Sequence, residues 1–496
     1  MRRVAEMKLN PREKALLEEQ KKNKKMRNRY ILVGVIVLIL AALVIVVNSS
    51  LFDNGFAALQ VGSDKCTLAE ANYEYQSAYM QIANTYGQYG LIDNSKPLNQ
   101  QTCMFDPNGG TWHDYFLDTA ETNLKQKVAL YNAAKAAGYT ELTEEEQADI
   151  DATMESFKLY GSSYGYTLDG YLIALFGQGN NEKTVRSSMM KEKIINRYLN
   201  DQYESYSYSD AEKDAYYDEH ADEMNKVEYL YVFIPGTADE AAGLDEAAAM
   251  AAAGETARTI VADSSGQEDL FRAAVSAATA TDPTETSGSV SGFLSSYEGD
   301  VTADQLKPGT VFAHETSGGW HAVYVLGVDD NHYNGVSVRH ILVKAVDEDG
   351  DGTYSDEEKQ AAYDAVLAIQ EEWLAGEATE DSFAALANEK SEDAGSNTNG
   401  GLYENIYKGQ MVQEFSDFCF ADHKSGDYGI VYGENAQYAG YHLIYFVGAD
   451  GELYSRVLAD NAMRSEEYNA FVEAAMEPYT AVRRFMWRYV GKDKTE

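Results

Sequence analysis

Val338-Arg339-His340-Ile341-Leu342-Val343 and Gly440-Tyr441-His442-Leu443-Ile444-Tyr445-Phe446 read as two apolar strands with one histidine each, and the ordered phrases between them decide the fold. After the first strand a helical run ends at Gly376, and Ser382-Phe383-Ala384-Ala385-Leu386-Ala387 follows. Then come the loop Ser391-Glu392-Asp393-Ala394-Gly395-Ser396, the pair Gly400-Gly401, and Gly409-Gln410-Met411-Val412 with Phe415. Short apolar runs bounded by turn residues read as strands, and three- and four-residue apolar spacing reads as helix. A histidine alone on an apolar strand is ordinarily a core residue with its hydrogen bonds met. Two of them, with an acidic loop and a Met-Phe segment between, point to a site.

In this order and spacing the residues resemble the parvulin family of peptidyl-prolyl cis-trans isomerases, over residues 331–450. The resemblance implies a small antiparallel sheet with surrounding helices. It implies that His340 and His442 lie side by side beneath a substrate proline, with Asp393 in the place of the acid or thiol of the family's active loop. Met411 and Phe415 would form the apolar proline pocket, with Tyr403 where leucine is commoner, a departure that bears on pocket size. The chemistry suits so sparse a set. Amide rotation costs roughly 18–20 kcal/mol because twisting destroys conjugation, and X-Pro bonds isomerise over tens of seconds. No bond breaks, so the reaction needs no cofactor. Holding the proline in an apolar cup while favouring the twisted state by about 5 kcal/mol gives on the order of a thousandfold.

Residues 1–29 carry eleven Lys or Arg against four Glu, a net +7, and Tyr30 to Val47 then runs eighteen residues without charge. That length is just enough to span a bilayer, and it exceeds the apolar core of roughly 7–15 residues of a cleaved signal. The expectation is a single transmembrane helix over 30–47, with a cytoplasmic N-terminus and the bulk of the chain outside. Taking the +7 from the formal net charge of −40 leaves −47 on the exported part, which excludes nucleic acid as a partner. Three cysteines cannot build a disulfide framework; Cys66 and Cys103 are one candidate pair, and Cys419 reads as a buried thiol.

Residues 48–225 read as a tyrosine-rich helical domain. Thr67-x-x-Glu70, Thr143-x-x-Glu146 and Ser209-x-x-Glu212 are capping boxes. A helical arm ahead of parvulin domains is similar to the PrsA/SurA group of extracytoplasmic foldases and chaperones, which implies unfolded exported polypeptides as partners. Residues 226–330 repeat the later domain in weakened form. Val227 to Val232 lines up with the strand at Val338, putting Tyr229 in the place of the first histidine, and Gly319 to Tyr324 lines up with Gly440 to Tyr445. This copy lacks the acidic loop and the Gly-Gln-Met-Val phrase, so it reads as degenerate. The fold class is therefore α+β: one membrane helix, a helical domain, two parvulin-like domains and a C-terminal helix and tail over 451–496.

Asp347-x-Asp349-x-Asp351-Gly352, followed by Glu358, has the spacing of a calcium loop. Ser355-x-x-Glu358 is equally a capping box for the next helix, so a structural calcium ion and a plain acidic turn both remain open. Two functional classes also stand: a membrane-anchored isomerase for exported proteins, and a holdase whose parvulin copies are binding platforms.

Overall fold

The computed structural model describes residues 54–492 except 108, 239–244, 351 and 436–437, together with positions 22, 24, 26 and 35–38. Of the expected membrane segment, all but residues 35–38 lies outside the described residues, and among those described no helix is long and apolar enough to cross a membrane. The described strands are β1 (Ala57–Val61), β2 (Asp64–Thr67), β3 (Lys226–Pro235), β4 (Thr284–Ser289), β5 (Val311–Thr316), β6 (Gly319–Asp329), β7 (Val336–Lys344), β8 (Leu402–Ile406), β9 (Tyr428–Glu434), β10 (Ala439–Gly448) and β11 (Ala481–Arg483). The chain divides into two compact units, residues 1–206 with 465–496, and residues 207–464.

The first unit is mainly helical. Thr67 and Thr143 cap the helices Leu68–Tyr86 and Glu144–Ser163 through reciprocal bonds with Glu70 and Glu146, satisfying exposed N–H groups at both starts. Its core joins Tyr75, Trp112 and Phe116 to Leu59 and to Met486 and Trp487 from the tail. The tail also completes a three-stranded antiparallel sheet, β11-β1-β2, with Arg483 opposite Leu59. This sheet is an addition to the helical reading of residues 48–225. Its strands are too short to show alternation, and one of them comes from residues 481–483. Cys66 and Cys103 are buried in this core as free thiols. The tyrosines divide: Tyr73, Tyr75 and Tyr198 are buried, whereas Tyr160, Tyr164 and Tyr166 are exposed.

The second unit holds two antiparallel sheets of identical order, β4-β3-β6-β5 and β8-β7-β10-β9. In the second sheet, apolar residues on one face (Ile341, Leu443, Tyr445) pack under the helices Asp356–Ala375 and Glu380–Lys390 through Val366, Trp373 and Phe383. On the other face Val338, Ile444 and Phe446 meet Phe415 and Cys419 of the short helix Gln413–Phe420. The first sheet repeats this plan. Phe271 and Val275 lie on the face of Leu230 and Val232, and Val290 and Phe293 lie on that of Val227 and Val323.

The ladders correct the internal alignment. Gly319 opposes Pro235 as Gly440 opposes Lys344, and counting inward sets Val323 against Tyr231 as Ile444 stands against His340. Tyr231, not Tyr229, therefore occupies the place of the first histidine. A slip of two residues keeps every side chain on its own face, so apolar alternation alone does not reveal it. The copies also differ in their loops. Residues 391–401 connect helix to strand in the second copy, against 280–283 in the first, and residues 407–412 have no counterpart because β4 runs directly into the helix Val290–Ser296.

Candidate active site

Strands β7 and β10 are neighbours in the middle of the sheet, and their register sets His442 opposite Leu342, one step along the same face from His340. The two imidazoles stack, with centroids 5.2 Å apart, planes at 24° and the two Nδ1 atoms 3.1 Å apart. Only 3% and 4% of the two residues is exposed. Phe415 meets both rings edge-on, at 5.4 and 5.2 Å, and closes the space beneath them.

The acidic loop is stitched to β7. Leu342 N–H donates to Ser391 Oγ, Glu392 N–H to the Leu342 carbonyl, and His340 N–H to the Gly401 carbonyl. Gly401 has φ +68°, and a Cβ there would stand 2.3 Å from the His340 carbonyl oxygen, so the Gly-Gly phrase is a requirement of this close approach. The loop delivers Asp393, whose Oδ2 accepts from His340 Nε2 at 2.9 Å, Tyr403 Oη at 3.0 Å and Ser396 Oγ. Its Oδ1 accepts from Gly395 N–H at 3.2 Å. On the far side, Tyr438 Oη lies 2.9 Å from His442 Nε2.

With a single proton on each imidazole, these contacts are met by one proton arrangement. The hydrogen bonds from His340 and then Ser396 hold the Asp393 carboxyl well below the usual carboxylate range, against the opposing effect of burial. Burial, with His340 beside it, pushes His442 down to about 3, so its ring is neutral at pH 7. Asp393 as a carboxylate can only accept, so His340 Nε2 donates to it; with Nδ1 of His340 as acceptor, His442 donates from Nδ1 and accepts at Nε2 from Tyr438. Burial raises the Tyr438 hydroxyl, helped by Asp393 and Glu414, and it raises Tyr403 to about 12, so both remain donors. The result is a directed chain from Tyr438 through His442 and His340 to Asp393 in which every buried ring nitrogen has a partner.

The structure thus brings together His340, Asp393, His442, Tyr403 and Phe415, with half-buried Met411 packed in the same cluster. Phe415 itself is 2% exposed and forms floor rather than open wall. Two participants escaped the sequence reading. Ser396 ends the quoted loop but carries no signal beyond a common turn residue, and Tyr438 gives its only hint by standing four residues before His442.

In the first copy the ring pair is Tyr231 and His321, 5.4 Å apart, and His321 Nδ1 lies 3.2 Å from Tyr297 Oη. Among the described residues no loop equivalent to 391–401 reaches them. The acidic loop after β7 gathers Asp347, Asp349 and Glu358, each with an oxygen within 4.8 Å of the others; Asp351 lies outside the described residues. Hard carboxylate oxygens suit calcium. The same oxygens serve the backbone: Asp347 accepts from Gly350 and Gly352 N–H, and Glu358 from Glu348 N–H, Ser355 N–H and Ser355 Oγ.

Residues 324–448 match the family model described as the PPIC-type PPIase domain. The chain carries a parvulin-type peptidyl-prolyl cis-trans isomerase domain, and the paired histidines lie within it. Among solved structures, the peptidylprolyl isomerase PrsA from Bacillus anthracis is 21% identical over 30% of this chain and 59% of that one, with a TM-score of 0.18. PrsA from Bacillus subtilis is 14% identical over 77% of this chain and 91% of that one, with a TM-score of 0.27. A structure of SurA-like chaperones from Campylobacter jejuni is 12% identical over 80% of this chain and 91% of that one, with a TM-score of 0.14. No curated protein matches the chain.

Proposed function

We propose that this chain is a membrane-anchored, extracytoplasmic foldase that speeds rotation about X-Pro bonds in exported polypeptides, without covalent chemistry. The observation that carries the reading is the directed hydrogen-bond chain ending on Asp393 beneath an apolar cluster. Met411 and Tyr403 would flank the proline ring, with Phe415 as floor. Asp393 would supply the electrostatic term near the turning carbonyl through Oδ1, since three donors already occupy Oδ2. His340 and His442 would hold that carboxylate in one position and one charge state, an arrangement that costs no reorganisation as the amide twists. The first copy, lacking both loops, would act as scaffold or as a passive peptide platform.

A protease-coupled proline-isomerisation assay on the whole chain tests this. Asp393→Ala should lower the rate of bound substrate, and Met411→Ala should mainly raise KM. Unchanged rates in both variants place the chemistry elsewhere. The anchor is tested separately: protease outside intact cells should remove everything after about residue 50 and spare the basic N-terminus with its apolar run, whereas a mature protein lacking residues 30–47 means a cleaved signal. A holdase reading is favoured by one feature, the exposed cluster Leu159, Tyr160, Tyr164 and Tyr166 on the helical unit. Under it, the Asp393→Ala protein would suppress aggregation of an unfolded client as well as the wild type does.

A further inference from the structure

We infer that the first copy serves the reaction by fixing the loop that carries Met411, with Asp329 and Lys408 as positioning residues for peptide binding; this rests on the isomerase reading above. Both copies lie in one compact unit, residues 207–464. The loop between β8 and the helix Gln413–Phe420 opens with a tight turn, in which Gln410 N–H donates to the Tyr407 carbonyl at 3.2 Å and Gly409 takes φ +80°. A positive φ at the third residue of such a turn is the position that favours glycine. The Gln410 side chain closes the turn a second time, its Oε1 accepting from Tyr407 N–H at 2.9 Å. Met411 follows at once, so the placement of the turn sets where its side chain enters the cluster with Phe415.

The turn is held from outside its own copy. Lys408, at its tip, reaches Asp329 Oδ2 at 2.9 Å, and Asp329 is the last residue of β6, an inner strand of the first sheet. The same ammonium lies 4.7 Å from the centre of the Tyr333 ring, and Lys408 N–H donates to Tyr333 Oη at 3.2 Å. Tyr333 belongs to the connection between the copies, which is itself pinned. Asn331 there is 2% exposed; its N–H donates to Asp329 Oδ1, and its Nδ2 donates to Tyr217 Oη and to the Met224 carbonyl. One oxygen of Asp329 thus fixes the connection and the other fixes the turn. An exposed ion pair alone contributes little. Here it is joined by a ring face and a backbone hydrogen bond, and what it restrains is a short loop next to the pocket. His340, His442 and Asp393 are held by other elements, so loss of the tie bears on how well the peptide is held and not on the twisting step.

The test measures kcat and KM of the full chain on one peptide, with alanine before proline, in the wild type, Lys408→Met, Asp329→Asn, the double variant and Lys408→Arg. Asparagine keeps an acceptor for Asn331 N–H, so Asp329→Asn removes the tie to Lys408 and leaves the connection between the copies. Each of Lys408→Met and Asp329→Asn should raise KM roughly threefold to fivefold with kcat within about twofold, the scale of one partly exposed pair. The double variant should be no worse than either single one, because each already breaks the same tie. Lys408→Arg, which keeps a cation between ring and carboxylate, should recover most of the loss. An unchanged KM in both single variants of an active wild type would overturn the positioning role and leave the isomerase reading intact. Additive losses in the double variant, or a fall in kcat at constant KM, would overturn it equally. A silent wild type would overturn both.

Discussion

Acidification from pH 7.5 to 5 gives the most direct test of the histidine chain. An unfolded histidine titrates near 6.5, whereas His442 in the folded chain is pushed down to about 3 by burial and by His340. Because the folded value is the lower one, the stabilising contribution is complete above 6.5 and declines as pH falls, until it is gone below about 3. Within that window the unfolded state holds the extra proton, so stability falls by up to about 1.4 kcal/mol per pH unit, or about 2 kcal/mol by pH 5. Asp393 cannot account for this loss. Its carboxyl is also depressed, from 3.8, so its contribution is intact above 3.8 and is lost only as pH falls through its lower folded value. Urea unfolding at both pH values, in the wild type and in His442→Gln, isolates the histidine's share as the difference in pH dependence. Ring-proton NMR supplies an independent check: of the eight histidines, the signal lost in His442→Gln should not titrate above about pH 4. A midpoint near 6.5 for that signal, or equal pH dependence in the two proteins, would refute the proton arrangement derived for the site.

Phe415→Ala should cost about 3–5 kcal/mol in urea unfolding, because the ring is 2% exposed and supports both imidazoles, while Phe415→Leu should cost far less and retain activity. Tyr438→Phe should raise the His442 titration midpoint, since it deletes the donor that holds Nε2 as an acceptor; NMR reads the shift directly. In the full chain, His340→Ala together with Asp393→Ala should leave no residual isomerase activity, because the first copy has neither connecting loop; a persistent rate would assign activity to residues 226–330. Calcium, if it is held by Asp347, Asp349 and Glu358, should raise the melting temperature by stabilising the folded state, about 2.7 kcal/mol at a hundred times Kd, and Asp349→Ala should remove the response. An unmoved melting curve in the wild type leaves Glu358 as a helix cap alone.

What was legible in the sequence follows from which physical signals are local. The capping boxes at Thr67, Thr143 and Ser209 declare themselves within four residues, and all three form as read. Apolar runs put His340 and His442 on strands, whereas the Gly400-Gly401 pair takes its meaning only from the contact of Gly401 with β7. Register is not local. Tyr229 and Tyr231 satisfy the same alternation, and only pairing with β6 decides between them. The β11-β1-β2 sheet was hidden for the same reason, its third strand lying at the far end of the chain. Ser396 and Tyr438 were missed because a single hydroxyl has no sequence period; its meaning lies in the atom that it reaches.

Both sheets have the same order, both place a buried phenylalanine (Phe293 or Phe415) under the same face, and both retain the histidine of the second central strand. If the sheet and one histidine made the site, the copies would be equivalent. What separates them is that residues 391–401 bring to His340 a carboxylate that itself accepts from Gly395 N–H and Ser396 Oγ, and residues 407–412 bring Met411 into the cluster with Phe415. An imidazole pair without the carboxylate has nothing to set its direction. In the first copy His321 turns instead to Tyr297, and His314 to Asp300 at 2.7 Å. On the reading proposed above, the two loops turn this face of the sheet into a charged, apolar-walled cup. Grafting residues 391–401 in place of 280–283, with Tyr231→His, should therefore restore the bond between ring and carboxylate in the first copy. It should leave isomerisation weak there, because no residue takes the place of Met411.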